Sequence, residues 1–433
     1  MSESITAPAA QKSTAPRVAV ASLIGTTIEY YDFAVYGTAA ALVLGPAFFP
    51  ASNATLSTLA AFLTFAAAFL ARPIGMVLFG TIGDRVGRKR SLVLSLMLMG
   101  LSTVGVGLLP TYATAGPIAP VFLVALRLLQ GVSLGGEWGG AVLLAAEHSP
   151  PGRRAQFASI PQAGPPLGFL LSSAVILPTL TIAGKDGFVE WAWRVPFLLS
   201  LVLILVGFWV RSRVGESPVF ERRATDTADV PRFPLGTLTK RHPGRLLLGI
   251  GAAVGGSAMY YLTIVYSLSY GPALGIPSST MLTSASVAAA VVVAVTVPVA
   301  KLADRVGRRP VILIGAAGCA LWAVPMFGSL QTANNLMITG AFSIGLALFI
   351  MMFSPMAAFL PELFPARLRY SGASATFILA NTLGGGFAPL VATWLNSHWQ
   401  SPFVLGLYAG GLCLVSMGCV LALPETRDKD FRV

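Results

Sequence analysis

The sequence predicts an all-α integral membrane protein, with twelve transmembrane helices in two pseudo-symmetric six-helix bundles and both termini in the cytoplasm. Composition is the first ground. Of 433 residues, 55% are apolar and only 11% are charged, and the mean hydropathy is +0.76. A soluble domain carries about 25% charged residues, so this chain cannot be solvated as a globule. Span count is the second. Stretches near the ~20 apolar residues that cross a bilayer fall at 18–45, 56–82, 91–110, 118–146, 156–183, 193–212, 244–270, 280–300, 310–329, 334–360, 370–396 and 401–423. Repetition is the third. Asp84-Arg85-Val86-Gly87-Arg88-Lys89 recurs 220 residues later as Asp304-Arg305-Val306-Gly307-Arg308-Arg309, between apolar stretches both times.

The expected organisation is a tail (1–17), a first bundle (18–212), a linker (213–243), a second bundle (244–423) and a short tail (424–433). The linker carries Arg222, Arg223, Arg232, Lys240 and Arg241 beside Glu216, Glu221, Asp226 and Asp229, and reads as solvated. The halves match at further junctions. Glu147 with Arg153 and Arg154 parallels Glu362 with Arg367 and Arg369, and Glu216-Ser217-Pro218 parallels Pro424-Glu425-Thr426. Parallel repeats of this kind place a ligand site near mid-membrane, between the halves. Such a chain moves something across a bilayer.

A net charge of +12 and a pI near 10 would suit a nucleic-acid binder, but the positions of the charges exclude it. Of 29 Lys and Arg, only Arg72, Arg127, Lys185 and Arg194 lie outside the tails and alternate loops; the other 25 follow the positive-inside distribution. Cys319, Cys413 and Cys419 sit in apolar stretches without metal or redox spacing and read as packing residues. The first 16 residues lack a hydrophobic core, so no cleaved signal peptide is expected.

The repeated turn begins at Gly80 and continues through Asp84, Arg85, Gly87 and Arg88. Glycines permit a sharp turn and close helix ends. An aspartate there can cap a neighbouring helix N-terminus or pair with arginine, forming a latch on the cytoplasmic side. Asp304, Arg305 and Arg308 form the second copy, where Ala300 replaces the glycine and loosens the expected latch. Glu147 and Glu362 are the acidic partners expected at this gate. The alternative is a basic loop that only sets topology.

In the first span, Glu29, Asp32 and Tyr36 are spaced i, i+3, i+7 and share a face. Carboxylates inside a membrane helix are costly and face a cavity or a partner. They are candidates for proton loading, or alternatively for a structural ion pair. The fourth span carries Arg127, Gln130 and Glu137, with Gly131, Gly135 and Gly139 forming a ridge for close packing. Arg127, and Arg72 in the second span, could each hold an anionic substrate or neutralise an acid. The second half has no ionisable residue deep in a span. Its contribution to a cavity must come from Tyr260, Tyr261, Tyr266, Tyr270 and Asn381, although the tyrosines could also be interface anchors. Gly164-Pro165-Pro166-Leu167-Gly168 reads as a kink that faintly echoes drug/proton antiporters.

The paired Gly-x-x-x-Asp-Arg-x-Gly-Arg turns and Arg127-x-x-Gln130-Gly131 resemble the major facilitator superfamily. Glu29-Tyr-Tyr-Asp32-Phe33, Arg72-Pro-Ile-Gly75, Gly135-Gly-Glu137-Trp138-Gly-Gly and Pro361-Glu-Leu-Phe-Pro365 with Arg369-Tyr-Ser-Gly372 look like its metabolite:proton symporter branch. The resemblance covers essentially the whole chain. It implies the major facilitator fold, proton coupling at Asp32 and Glu29, and charge relay or anion binding at Arg127; the reading of the spans adds Glu137 to the proton-coupling candidates and sets Gln130, Tyr36, Arg72, Tyr260 and Asn381 beside Arg127 as substrate-binding candidates. The branch carries shikimate, oxoglutarate, citrate, proline and betaine. The expected function is proton-coupled import of a small organic acid, with a proline/betaine symporter as runner-up and a drug/proton antiporter behind it. The short tail lacks the coiled coil of some osmosensing carriers, which counts against the runner-up. No enzymatic activity, cofactor or metal is expected; His148, His242 and His398 form no ligand set. The expected partners are substrate, protons and the lipid of the cell membrane, with the monomer as the working unit.

Overall fold

Apolar runs inside hydrocarbon must pair their own backbone groups, so they form helices. The computed structural model describes residues 15–51, 53–86, 88–135, 138–147, 149–213 and 234–428. Among these are twelve long helical rods: α1 (Ala15–Leu42), α2 (Ala54–Val86), α3 (Arg88–Leu108), α4 (Ile118–Glu147), α5 (Arg154–Ala192), α6 (Arg194–Arg213), α7 (Pro243–Ala273), α8 (Ser278–Val306), α9 (Arg308–Ser329), α10 (Asn335–Glu362), α11 (Arg369–Trp399) and α12 (Pro402–Ala422). Ten of them are long and apolar enough to cross a membrane. The other two are α1, which holds Glu29 and Asp32, and α6, whose apolar stretch is the shorter Arg194–Trp209. Leucine, valine and phenylalanine side chains such as Leu63, Leu70, Val77, Leu101, Phe208 and Leu414 are about half exposed on the outer faces, a surface that hydrocarbon accepts and water does not.

The helix pairing repeats between the halves. In the first, α1 packs on α5, α2 on α4 and α3 on α6; in the second, α7 packs on α11, α8 on α10 and α9 on α12. The contacts between halves repeat too, α2 meeting α11 where α5 meets α8. The charged turn at Asp304–Arg309 lies at one end of this bundle, here the charged end; the other is the far end.

Close crossings set the geometry. A Cβ on Gly131 would stand 2.1 Å from the Ala68 carbonyl oxygen, one on Gly135 would stand 2.0 Å from that of Arg72, and one on Gly75 would stand 1.8 Å from that of Val132. The two arginine-bearing helices therefore touch backbone to backbone, in the manner of small-residue crossings in membranes. Gly168 of α5 lies in the same way against Tyr30 and Tyr31 of α1, and Gly384 of α11 lies against Val254 of α7.

Three expectations change. The glycine ridge of α4 divides, because Gly131 and Gly135 face α2 whereas a Cβ on Gly139 would meet Ser374 of α11. The bend expected at Gly164-Pro165-Pro166 lies just before it: within α5 a 3-10 turn over Pro161–Ala163 interrupts the helix, which resumes at Gly164 with the prolines in its first turn, where they are tolerated. The linker is not solvated throughout. Its described end forms a helix over Pro234–Arg241 that buries Leu238 in a cluster with Leu246, Leu363 and Phe377. The rest of the linker that joins the halves lies outside the described residues.

Gly131→Val should lower the thermal midpoint in detergent by several degrees, because overpacking costs about 1–3 kcal/mol. Gly411→Ala, with nothing within 4 Å of its Cβ position, should leave the midpoint unchanged. Equal midpoints for the two variants would refute backbone contact at the α2–α4 crossing.

Candidate functional site

The seam between the halves is aromatic. Phe33 of α1 and Phe65 and Phe69 of α2 face Tyr261 of α7, with ring centroids 6.2, 5.9 and 5.4 Å away. Tyr260 packs on Tyr261 and on Phe349 of α10. Two helices lose regular α geometry here, α7 over Leu262–Tyr266 and α11 over Thr382–Gly386, both as π turns. Such turns re-aim side chains and recur at functional sites. The Thr382 hydroxyl donates to the Phe69 carbonyl at 3.2 Å, which ties α11 to α2.

Two guanidinium groups lie in this apolar seam. Arg127 is fully buried and Arg72 is 3% exposed. The Arg127 Cζ stands 3.9 Å from the Tyr36 ring centre, 4.5 Å from that of Phe33 and 5.1 Å from that of Phe65. The Arg72 Cζ stands 4.1 Å from Phe69 and 4.9 Å from Phe33. One ring, Phe33, is thus flanked by both cations. Desolvated cation–π contacts are worth about 2 kcal/mol, which offsets only part of the cost of burying a charge. Neither arginine has a carboxylate partner among the described residues. In each, Nε and Nη2 lack any hydrogen-bond acceptor. The alternative that these arginines neutralise nearby acids therefore finds no ion pair to rest on among those residues.

The remaining candidates divide around the pair. Arg127 Nη1 donates to Gln130 Oε1 at 2.8 Å, and Gln130 Nε2 donates to Thr103 Oγ1 at 2.8 Å. The Tyr36 hydroxyl shares a 2.6 Å hydrogen bond with Thr64. Asp32, 1% exposed, turns away from the seam towards α6, where Ser200 donates to Oδ1 at 2.5 Å. Glu29 is equally buried and has a partner of its own. Tyr260, Tyr261, Tyr266 and Tyr270 are all buried, and Tyr261 and Tyr266 meet rings of the first half across the seam. Asn381 spends its amide on its own helix, Nδ2 donating to the Phe377 carbonyl at 3.0 Å. Glu137 lies outside the described residues.

At the charged end, Glu362 of α10 gathers the halves. It accepts from Arg154 Nη1 at 2.7 Å and from the Thr426 hydroxyl at 2.5 Å, and lies 3.4 Å from Arg308 Nε. The Asp304 oxygens accept from the backbone N–H groups of Ala155 and Gln156 at 3.0 and 2.9 Å, and one pairs with Arg308 at 3.1 Å. A carboxylate on a helix N-terminus meets both unpaired donors and the helix dipole. Gly307 takes φ 112° in this turn, which disfavours any residue with a Cβ. Arg305 is exposed without an ion pair among the described residues, and Glu147 is exposed near Arg369. Gly87 lies outside the described residues, as do the side chains of Asp84, Arg85 and Arg88 in the turn that begins at Gly80.

Sequence reasoning missed three contributors here. Glu425 caps α9, its two oxygens accepting from Arg308 N and Arg309 N at 3.0 and 2.9 Å. Burial opposes ionisation of this carboxyl, but four backbone N–H donors outweigh it and hold its pKa below the ordinary glutamate value. Trp138 of α4 stacks on Phe377 of α11, 3.7 Å between centroids and 4° between planes. Gln162 fixes that stack, accepting from Trp138 Nε1 at 2.9 Å and donating to the Phe353 carbonyl at 3.3 Å. Toward the far end, Phe62 meets Tyr266 at 6.5 Å. The halves therefore touch on both sides of the arginine pair.

Residues 22–379 match the Major Facilitator Superfamily. The chain is 43% identical over 420 residues to the inner membrane metabolite transport protein YhjE of Escherichia coli, covering 95% of each. It is 37% identical over 427 residues to the shikimate transporter of Escherichia coli, covering 96% of each. A structure of the xylose transporter XylE from E. coli, in a partially occluded inward-open conformation, superimposes with a TM-score of 0.76 at 20% identity, covering 97% of this chain and all of that one.

Glu362→Gln should loosen the charged end, since Arg154 and Arg308 would lose their shared anion, and breaking a buried pair costs about 3–5 kcal/mol. A cysteine placed at Ser374 should then react faster with a soluble maleimide than in the Glu362 parent; an unchanged rate would remove Glu362 from the gate. The Glu425 cap should be complete at neutral pH and lost only as pH falls below the usual glutamate range, because a depressed folded pKa stabilises above the unfolded value. Amide exchange at Arg308 and Arg309, corrected for intrinsic rates, checks this, and protection lost near neutrality would contradict it.

Proposed function

The chain belongs to the major facilitator superfamily and is a multi-pass membrane transporter, not an enzyme; from that premise we propose a proton-coupled symporter that imports a small organic acid of the shikimate or dicarboxylate type by alternating access. The observation that carries the substrate class is the arginine pair. Two desolvated cations flank one ring and hold unused N–H donors, and no carboxylate of the described residues meets them. Guanidinium forks suit carboxylates, which accept two parallel hydrogen bonds. An acid that bridges both would supply the missing anion, and Tyr36, Gln130 and Tyr260 would contact the rest of it. The 37% identity to a shikimate transporter supports the same class.

Alternating access is supported by closures on both sides of the pair. The far side would open by parting Phe62 from Tyr266, and the charged side by unstacking Trp138 from Phe377 and releasing Arg154 from Glu362. In this reading the charged end and both termini face the cytoplasm, the membrane is the cell membrane, and the monomer is the working unit. Protons load at Asp32, with Glu29 and Glu137 as further carboxyls of the same half. The gate comprises Gly80, Asp84, Arg85, Gly87 and Arg88 with Asp304, Arg308, Glu147 and Glu362, while exposed Arg305 contributes charge only.

Proteoliposomes with an imposed inward proton gradient test the reading. Labelled shikimate, oxoglutarate or citrate should accumulate, and that accumulation should collapse with a protonophore; uptake of proline or betaine instead would reject the acid. Arg127→Lys should weaken binding at least tenfold, because an ammonium cannot reproduce the fork; unchanged affinity would free Arg127 from the site. Asp32→Asn should lose uphill uptake yet keep counterflow exchange, and normal accumulation in that variant would exclude Asp32.

A further inference from the structure

Helix α2 carries a proline in its interior, Pro73, directly after Arg72. Proline has no N–H, so the Phe69 carbonyl one turn back lacks the donor that a regular helix would give it. Spanning helices tolerate proline where a neighbouring helix or hydroxyl supplies the missing hydrogen bond. Here the hydroxyl is that of Thr382, the first residue of the π turn in α11, 3.2 Å from the Phe69 oxygen. Two features separate this contact from routine repair. Thr382 belongs to the other half, so the bond breaks whenever α2 and α11 part. Its single proton is also offered to the Ile378 carbonyl of its own helix, at the shorter distance of 2.9 Å. The Phe69 carbonyl is therefore short of a donor while the halves meet, and loses Thr382 altogether once they separate.

This acceptor lies beside the buried cations. The Phe69 ring carries the Arg72 guanidinium, 4.1 Å from Cζ to the ring centre, and Arg72 keeps Nε and Nη2 unpartnered. Facing Phe69, α11 presents backbone without side chains. A Cβ on Gly385 would stand 2.6 Å from a Tyr261 ring carbon, and one on Gly386 would stand 2.9 Å from the Phe69 ring. Withdrawal of α11 thus uncovers a bare carbonyl and unused N–H donors at adjoining positions of one helix.

Resting on the organic-acid reading, we propose that the Phe69 carbonyl, freed by Pro73, is a specificity seat for a hydroxyl of the cargo, which makes the transported acid a hydroxylated monocarboxylate. A hydroxyl donates once and accepts twice. It can give its proton to the Phe69 carbonyl and turn its lone pairs to the Arg72 N–H groups, while the cargo carboxylate takes the remaining guanidinium donors. A second carboxylate only accepts, and would set oxygen against oxygen at this carbonyl. An ammonium could donate, but would bring a third cation beside Arg72 and Arg127. The seat thereby favours hydroxy acids over both dicarboxylates and amino acids.

Calorimetry on the purified protein tests this with three pairs of acids. Shikimate and gluconate carry one carboxylate and several hydroxyls; cyclohexenecarboxylate and hexanoate are their counterparts without hydroxyls; oxoglutarate and succinate are dicarboxylates. Sites built around a hydroxyl reject the analogue that lacks it, so one hydroxylated acid should bind at least ~100-fold more tightly than its stripped counterpart and than either dicarboxylate. Pro73→Ala restores an N–H that fills the Phe69 carbonyl from within α2, and should shrink that ratio about tenfold, the worth of one hydrogen bond. Alanine suits a helix better than proline, and an undiminished thermal midpoint shows the variant to be folded; with a lowered midpoint the wild-type ratio alone decides. Equal affinity for a stripped acid, tighter binding of a dicarboxylate, or a wild-type ratio retained in folded Pro73→Ala would overturn the seat and leave the organic-acid reading standing. Binding of none of the six acids would overturn that reading and the seat with it.

Discussion

Two permanently charged groups in a dry aromatic seam are the feature around which the rest of the bundle is arranged. Arginine does not escape burial by losing its proton as a lysine can, so the seam must find other compensation for Arg72 and Arg127. Ring faces of Phe33, Phe65, Phe69 and Tyr36 supply some of it, and Gln130 supplies one acceptor. The rest is unmet in the described residues, since each guanidinium keeps two unpartnered nitrogens. Polar groups buried in this way cost stability, and the close α2–α4 crossing holds them there against that cost. Gly75, Gly131 and Gly135 permit the backbones to touch, which fixes the two arginines relative to each other more rigidly than side-chain packing alone would.

The two halves share an architecture but not a chemistry. Helix pairings correspond across the pseudo-twofold, yet the backbone contact between α2 and α4 has no glycine counterpart between α8 and α10, where the Ser354 hydroxyl instead donates to the Thr296 carbonyl. The buried charges of the seam belong to the first half, and the second presents tyrosines and a π-turned α11. At the charged end the asymmetry reverses. Glu362 and Asp304 of the second half supply anions and the first half answers with Arg154 and the N-terminus of its helix, while Glu425 caps α9 within the second half. Opening that end therefore exposes a cluster of charges to water, which solvates them. This closure is strong enough to hold and cheap enough to break, because its desolvation penalty is returned when it parts.

The fold was legible because each determinant is local in the sequence: apolar run length, the repeated Asp-Arg turn and the alternation of basic loops. The arginines and Asp32 were legible because an ionisable residue inside an apolar run is conspicuous by type alone. Ser200, which reaches Asp32, carried no such mark. A hydroxyl in a membrane helix ordinarily bonds its own backbone, as Thr103 does to Met99 and Thr263 does to Met259, and only the three-dimensional crossing brings it to a carboxyl. Trp138 was visible in a motif without a role, since its partner Phe377 lies 239 residues away. Asn381, conspicuous as an amide in an apolar helix, gives one N–H to the Phe377 carbonyl one turn back. The helix over Pro234–Arg241 was hidden by the charges around Leu238.

Separation of Asp32 from the seam bears on how such a carrier avoids leaking protons. A carboxylate paired directly with a substrate-binding arginine is exposed to water whenever the site opens, and exchanges its proton on either side. Asp32 instead lies behind Phe33 and Tyr36, with Tyr31 pinned to the Pro196 carbonyl at 2.8 Å on the adjoining face. Access to it is governed by packing between α1, α3 and α6, whereas access to Arg127 is governed by parting of the halves. Two sites gated by different contacts keep the buried carboxyl out of the opening that exposes the arginines. The polar partners that reach Arg127 from its own half, Gln130 and behind it Thr103, are neutral, so no further ion is added to a half that already buries two arginines and two carboxyls, which in a low-dielectric seam is the cheaper arrangement.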